Sequence, residues 1–144
     1  MENINITIGE VNGLVDEFAL LNRNFLEHID LVVGMSRGGL VPAALLAARI
    51  DKPLAAAYID KNDKIFLDRE EWLAGKNILI VDDVIRSGKT LWLLKNYLVK
   101  NTKPAVISFF TLYRVTSLSR PQFYVEAFAK EVNCDVTFPW DNQI

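Results

Sequence analysis

Two adjacent acids followed by a short hydroxyl-bearing turn stand near the middle of the sequence: Val81-Asp82-Asp83-Val84-Ile85-Arg86-Ser87-Gly88-Lys89-Thr90. The last four residues are how a nucleotide-triphosphate P-loop ends. A P-loop, however, needs a glycine five residues before its second glycine, to start the turn that wraps backbone N–H groups around a phosphate. Asp83 stands at that position, and its carboxylate would repel the phosphates the loop should cradle. The stretch calls for another chemistry. Paired carboxylates can hold hydroxyl groups or a hydrated Mg2+, while hydroxyls and N–H groups opening a helix can bind a dianionic phosphate. A second turn has a related character. In Met35-Ser36-Arg37-Gly38-Gly39, small residues free backbone N–H groups, and Arg37 offers a planar, permanently charged fork at the start of a helix. That is an anion site.

The elements that must carry these turns are legible in the hydrophobic pattern. "DLVVGM" and "NILIVDD" are short apolar runs of the kind shown by parallel strands buried on both faces, and each ends in one of the two turns. "GGLVPAALLAARI" predicts a helix with Pro42 in its first turn, and Leu91, Leu94 and Leu98 mark the inward face of a helix over about Lys89 to Val99. "PLAAAYI", "AVISFFTLY" and "FYVEAFA" are further strand candidates. Thr7 and Glu10 have capping-box spacing ahead of Val11, Leu14, Val15, Phe18, Leu21 and Phe25, which predicts a first helix from about Gly9 to about Glu27. Strands alternating with helices imply an α/β fold, an open, mostly parallel twisted sheet flanked by helices. In such sheets ligands bind beyond the carboxyl ends of the strands, where both turns lie. Residues 60–76, polar and charged, suit an exposed loop or β-arm, and the tail "EVNCDVTFPWDNQI" is expected to form an ordered cap without a regular element.

The whole chain bounds the function. Its 144 residues, 51% of them hydrophobic, suit one domain over 1–144 with a single well-formed core. The formal charge of −2 comes with no run of lysine or arginine, so the electrostatic footprint of a nucleic-acid binder is missing. The single Cys134 excludes an internal disulfide, and with one histidine, His28, there is no Cys/His metal cluster. Both have ordinary explanations, Cys134 as a half-buried thiol and His28 as a cation at a helix C-terminus. No apolar run approaches the roughly 20 residues of a membrane span, and the start of the chain lacks the pattern of a signal peptide. A cytoplasmic protein without a membrane partner is the expectation.

A ligand with a phosphate at one end, diol hydroxyls in the middle and a second phosphate group at the other end would satisfy both turns at once. 5-Phosphoribosyl 1-diphosphate (PRPP) is such a ligand. "ILIVDDVIRSGKT" resembles the PRPP-binding signature of type I phosphoribosyltransferases: an apolar strand, two acids, a few variable residues, then Thr/Ser-Gly-x-Thr. "VVGMSRGGLVPAALLA" is similar to the pyrophosphate loop of the 6-oxopurine branch, xanthine–guanine phosphoribosyltransferases in particular, and "FPWD" resembles that branch's C-terminal base-binding segment. The likeness runs from about Leu31 to the end of the chain.

The resemblance implies the type I phosphoribosyltransferase fold with a small C-terminal hood over about 129–144. It implies that Asp82 and Asp83 hold the ribose hydroxyls, with Asp83 in the shell of a Mg2+ that accompanies PRPP. Arg86, Ser87, Gly88, Lys89 and Thr90 would wrap the 5-phosphate. Ser36, Arg37, Gly38 and Gly39 would bind pyrophosphate, and in the family the bond matching Ser36–Arg37 can be a non-proline cis peptide. Asp82, Asp83 and Arg37 are the implied catalytic residues, and Asp135, Val136, Phe138, Trp140 and Asp141 the implied base-binding ones. The activity implied is transfer of phosphoribosyl to a purine base in purine salvage, by a homodimer or homotetramer. The sequence departs from the 6-oxopurine pattern in three places. Arg86 stands where the branch has an Asp that takes or shares the purine N7 proton. Phe110, Thr111 and Leu112 stand where a lysine recognises the 6-oxygen, and Asp135 where an aromatic stacks on the base. Another acceptor such as orotate, or a regulator that binds PRPP or a nucleotide without turnover, are the alternatives these departures leave open.

Overall fold

The computed structural model describes residues 3–117 and 123–141. Its centre is a six-stranded sheet built from β2 (Leu31–Met35), β3 (Leu54–Ile59), β4 (Ile65–Leu67), β5 (Asn77–Ile85), β6 (Val106–Val115) and β7 (Phe128–Val132). The spatial order is β4-β3-β2-β5-β6-β7, and every pairing is parallel except β3 with β4. The two central strands buried as their apolar runs predict: all five residues of β2 and Ile78 to Val81 of β5 are shielded from water.

From β2 the chain passes through α3 (Leu40–Ile50) to β3 on one side, and from β5 through α4 (Lys89–Asn101) to β6 on the other. The connections therefore diverge between β2 and β5, which is the topological switch point where open α/β sheets bind ligands. The two helices cover opposite faces. Ala43, Leu46 and Ala47 of α3 pack with Val32, Leu79 and Val81, whereas Leu91, Leu94 and Leu98 of α4 pack with Leu31, Val33, Ile78 and Ile80. Pro42 lies in the first turn of α3, where its missing N–H costs no intrahelical bond.

The Thr7 capping box forms, with Glu10 N–H donating to Thr7 Oγ1 at 3.1 Å and Thr7 N–H to Glu10 Oε1 at 3.2 Å. The helix it starts is shorter than its periodicity predicts. α1 (Ile8–Leu21) stops at Asn22, whose backbone leaves the helical region and whose side-chain amide donates to Phe18 O at 3.0 Å, and a separate short α2 (Arg23–Glu27) follows. Residues 60–76 take the β-arm form rather than that of a loop. β4 pairs with β3, a 3-10 turn spans Glu70–Trp72, and Leu73 behind it is fully buried.

Two expectations near the C-terminus are corrected. The strand expected in "FYVEAFA" begins only at Phe128, because Arg114 Nη2 takes the Val125 carbonyl at 2.7 Å and draws that segment away from the ladder. The tail is more than an irregular cap. β8 (Asp135–Thr137) pairs in parallel with β1 (Asn3–Asn5), matching Ile4 to Val136, and Asn3 Nδ2 donates to Thr137 Oγ1 at 2.8 Å. The start of the chain thus anchors the segment that carries Phe138 and Trp140. Removing residues 1–5 is expected to raise the KM for a base several-fold while leaving the Kd for Mg·PRPP within twofold. Steady-state kinetics and calorimetry separate the two, and an equal loss of PRPP affinity would show that β1 supports the sheet and not the hood.

Candidate active site

β2 and β5 are neighbours in register, with Gly34 opposite Val81, so the turns that leave them meet above the middle of the sheet. They meet more closely than side chains permit. A Cβ on Gly38 would fall 2.0 Å from Asp83 Oδ2, and one on Gly39 would fall 2.3 Å from Val81 O and 2.8 Å from the Asp82 Cα. The backbone contact requires glycine at position 39, and at position 38 a side chain would displace the Asp83 carboxylate. Gly39 N–H donates to Met35 O at 2.8 Å and Ser36 N–H to Ala57 O at 2.7 Å, which ties the turn to its own strand and to β3. The Ser36–Arg37 peptide bond is cis, as in the family pattern, and the Arg37 side chain is exposed above it.

The acids sit where the alternation of β5 slips. Leu79, Val81 and Val84 belong to one core layer and Ile78, Ile80 and Ile85 to the other, so the step across Asp82 and Asp83 is three residues instead of two. Asp83 N–H donates to Asp82 Oδ1 at 2.8 Å. Withdrawal from water, and then the charge of Asp83, push the Asp82 carboxyl well above the usual carboxylate range. The pair stores electrostatic repulsion that a bound cation or a set of hydroxyl donors relieves.

Beyond the acids, the turn Arg86–Gly88 opens α4. Gly88 has φ +82°, and its hydrogen side faces the Phe123 carbonyl, which a Cβ would approach to 1.9 Å. Lys89 N–H donates to Ser87 Oγ at 3.2 Å, and among the described residues the N–H groups of Ser87, Gly88 and Thr90 donate to no backbone carbonyl. Those free donors at a helix N-terminus suit a phosphate. The cleft they line with Asp82 and Asp83 has a volume of about 230 Å3. Larger hollows lie elsewhere, one of about 440 Å3 beside Asp16, Arg23 and Arg49 and one of about 410 Å3 beside Phe25 and Phe109, but neither joins paired acids to a glycine turn. Lys89 itself pairs with Asp63 of the β-arm at 3.2 Å, and the Tyr97 hydroxyl of α4 donates to Glu70.

The hood closes over the same strand end through two contacts that sequence reasoning missed. Trp140 Nε1 donates to Asp83 Oδ2 at 2.9 Å, with the indole stacked on Phe138 at 5.1 Å and 3°. Arg86 turns toward the hood: its Nε donates to Asp135 Oδ1 at 2.9 Å and its Nη2 to Val136 O at 3.1 Å. Burial pushes the Asp135 carboxyl up, but the Arg86 hydrogen bond, the Val136 N–H and the Arg86 charge outweigh it and hold the group below its ordinary range. Phe138 is buried against Tyr113, and Asp141 Oδ2 accepts from Phe138 N–H at 2.8 Å, so these two shape the hood from within. Phe110 is stacked on Phe18 at 3.9 Å, and Thr111 and Leu112 are buried beside it. No local signal pairs Arg86 with Asp135; the opposite charges at the two positions could have suggested it.

Residues 11–143 match the phosphoribosyl transferase domain. The chain belongs to the phosphoribosyltransferase family. It is 29% identical over 140 residues to the xanthine-guanine phosphoribosyltransferase of Desulfotalea psychrophila, covering 86% of this chain and 76% of that protein. It is 34% identical over 129 residues to the xanthine-guanine phosphoribosyltransferase of Cereibacter sphaeroides, covering 76% and 68%. The crystal structure of a purine phosphoribosyltransferase from Pyrococcus horikoshii superposes with a TM-score of 0.80 at 25% identity, over 99% of this chain and 95% of that one. The sheet with its flanking helices is thus the phosphoribosyltransferase fold.

Two outcomes follow for this phosphoribosyltransferase. Gly38→Ala should leave the protein folded, because the carboxylate it strikes can swing away, yet weaken Mg·PRPP binding at least tenfold by displacing Asp83. Gly39→Ala strikes backbone and should destabilise by about 1–3 kcal/mol, the scale of overpacking. Denaturant unfolding and calorimetry on both variants check the contrast, and equal behaviour would refute it. Asp82 gives the second outcome. An acid with a raised folded pKa is destabilising once ionised, a cost that starts near the unfolded pKa of about 4 and grows until the folded pKa is passed. Asp82→Asn should therefore raise Tm at pH 7.5, with the gain vanishing as pH falls toward about 4, while Mg·PRPP affinity drops. Scanning calorimetry between these limits would contradict the account if the variant were the less stable protein at neutral pH.

Proposed function

We propose that this chain is a Mg2+-dependent phosphoribosyltransferase that displaces pyrophosphate from PRPP with a ring nitrogen of a 6-oxopurine, giving a nucleoside monophosphate. The observation that carries the reading is the contact of the Ser36–Gly39 turn with Asp82 and Asp83 at the switch point, closer than any Cβ allows. It brings an anion site and a diol site together at the spacing of two adjacent strands. The xanthine-guanine relatives support a purine as acceptor.

In this reading the free N–H groups of Ser87, Gly88 and Thr90 hold the 5-phosphate, with Lys89 beside them. Asp82 and Asp83 accept from the ribose hydroxyls, and Ser36, Arg37, Gly38 and Gly39 receive the pyrophosphate. The base nitrogen attacks C1 of the ribose while the bond from C1 to the pyrophosphate oxygen breaks, the electron pair leaving with pyrophosphate. The chain's contribution is to position both partners and to stabilise leaving-group charge from Arg37 and the turn N–H groups. Mg2+ is commonly held by one or two carboxylates together with substrate phosphates, which fits a pair of acids with no third metal-ligating side chain clustered beside them among the described residues. Asp83, with Asp82, would hold it, and when bound it neutralises charge on the pyrophosphate. Val136, Phe138, Trp140 and Asp141 build the hood over the base, with Trp140 linking it to Asp83. A homodimer or homotetramer in the cytoplasm goes with this function.

The test is pyrophosphate release from Mg·PRPP with hypoxanthine, guanine, xanthine, orotate and uracil. Turnover on the purines is expected, and turnover on orotate alone would replace the purine assignment. Asp83→Asn should weaken Mg·PRPP binding by about 1–3 kcal/mol, the scale of a hydrogen bond involving a charged group. Unaltered affinity in calorimetry would remove Asp83 from the site.

A further inference from the structure

Arg86 occupies the corner between the ribose acids and the hood, and resting on the transferase reading above, its setting bears on how the acceptor base loses its proton. A guanidinium has five N–H donors and no acceptor, and it keeps its charge at any physiological pH. Two of those donors are taken here, Nε by Asp135 and one on Nη2 by Val136 O. The remaining three belong to a side chain that is 43% exposed, beside the segment that carries Asp135 and Val136. A group built in this way can donate to a base but cannot take a proton from it.

The other charged groups around it do not fill that role. Asp135 is committed to Arg86 through the 2.9 Å ion pair, and that pairing holds its carboxyl below the ordinary range, which makes it a weak base. Asp82, whose charge also acts on Arg86, lies at the ribose end of the strand, and Asp83 is engaged by Trp140 Nε1.

We propose that Arg86, oriented by Asp135 and Val136, selects the ionised form of its acceptor, so that this chain transfers phosphoribosyl to a purine anion and deprotonates no neutral purine. The proton leaves the base to water before transfer. In the imidazolide tautomer of the resulting anion both imidazole nitrogens carry a lone pair: one accepts from a free guanidinium N–H group, and the other forms the bond to C1 as the pyrophosphate oxygen departs with its electron pair. Xanthine is more acidic than hypoxanthine or guanine, so it is the preferred acceptor near neutral pH. Asp135 acts as a positioning residue, holding the guanidinium plane.

The experiment measures kcat/KM against pH for xanthine, guanine and hypoxanthine with the wild-type protein and two variants. If the anion is the substrate, each base shows a rise with pH whose inflection falls at that base's own ionisation, so that three inflections appear in the order of the three acidities. A protein group acting as base would give one inflection common to all three, and that result overturns the proposal. Arg86→Gln keeps a neutral donor and should lower kcat/KM for the anions by about 10–100-fold, the scale of one charge-assisted hydrogen bond. Because only the anion reacts, the loss should be the same at every pH and leave the three inflections in place, with the Kd for Mg·PRPP within twofold; a matching loss of Mg·PRPP affinity, or a loss under twofold, would sink the idea. Arg86→Asp supplies an acceptor and should merge the three inflections into one, with a gain on guanine and hypoxanthine at pH 6.5 within the 10²–10⁴ range of general-base catalysis. Three inflections persisting in this variant, with calorimetry showing intact PRPP binding, would also count against Arg86. Absence of turnover on every base by the wild-type protein is a different result, since it overturns the transferase reading and this inference with it.

Discussion

The contact between Gly38-Gly39 and Val81-Asp82-Asp83 is the constraint on which the rest of the site depends. Two parallel strands carry their turns upward from the sheet at the separation of adjacent chains, a little under 5 Å, and only hydrogen can stand between them. Any side chain at Gly39 meets a carbonyl oxygen and a Cα of β5, so the backbone of one turn is shaped against the backbone of the other. The switch in connection direction makes room for this, because α3 leaves toward one face and α4 toward the other. The glycine turn and the pair of acids are thereby held together without a bridging side chain.

That arrangement is electrostatically costly before a ligand arrives. Asp82 and Asp83 are adjacent, partly withdrawn from water, and linked by a backbone-to-carboxylate hydrogen bond. The buried layers beneath them, Val32, Val33, Ile80 and Val81 among them, hold the strand ends in place against the repulsion. Binding sites often retain such unfavourable groups because a ligand that satisfies them gains what the empty protein lacks. The slip in strand alternation at these two residues belongs to the same feature, since it lets Asp83 reach Gly38 and Trp140 while the strand continues to Ile85.

The hood is joined to the acids instead of hanging free above them. Trp140 reaches Asp83 and Arg86 reaches Asp135 and Val136, so the hood and the end of β5 share hydrogen bonds. β1 holds the other edge of the hood by pairing with β8. The hood and the end of β5 are joined by contacts between side chains more than forty-five residues apart in the chain.

What the sequence by itself determined was everything local. Continuous apolar runs set β2 and β5, the spacing of Leu91, Leu94 and Leu98 set the inward face of α4, the Thr7–Glu10 pair set the start of α1, and the acids and glycine turns announced their chemistry by type and spacing. Tertiary structure decided whatever depends on pairs distant in the chain. The end of α1 at Asn22, the pairing of residues 3–5 with 135–137, the displacement of β7 to Phe128 and the burial of Leu73 leave no periodic trace, because each is settled by a neighbour that local patterning does not contain. The same holds for Arg86. Its place in the signature suggested a phosphate contact, and only the folded chain brought Asp135 within 2.9 Å, where an opposite charge and a carbonyl draw the guanidinium toward residues 135–136.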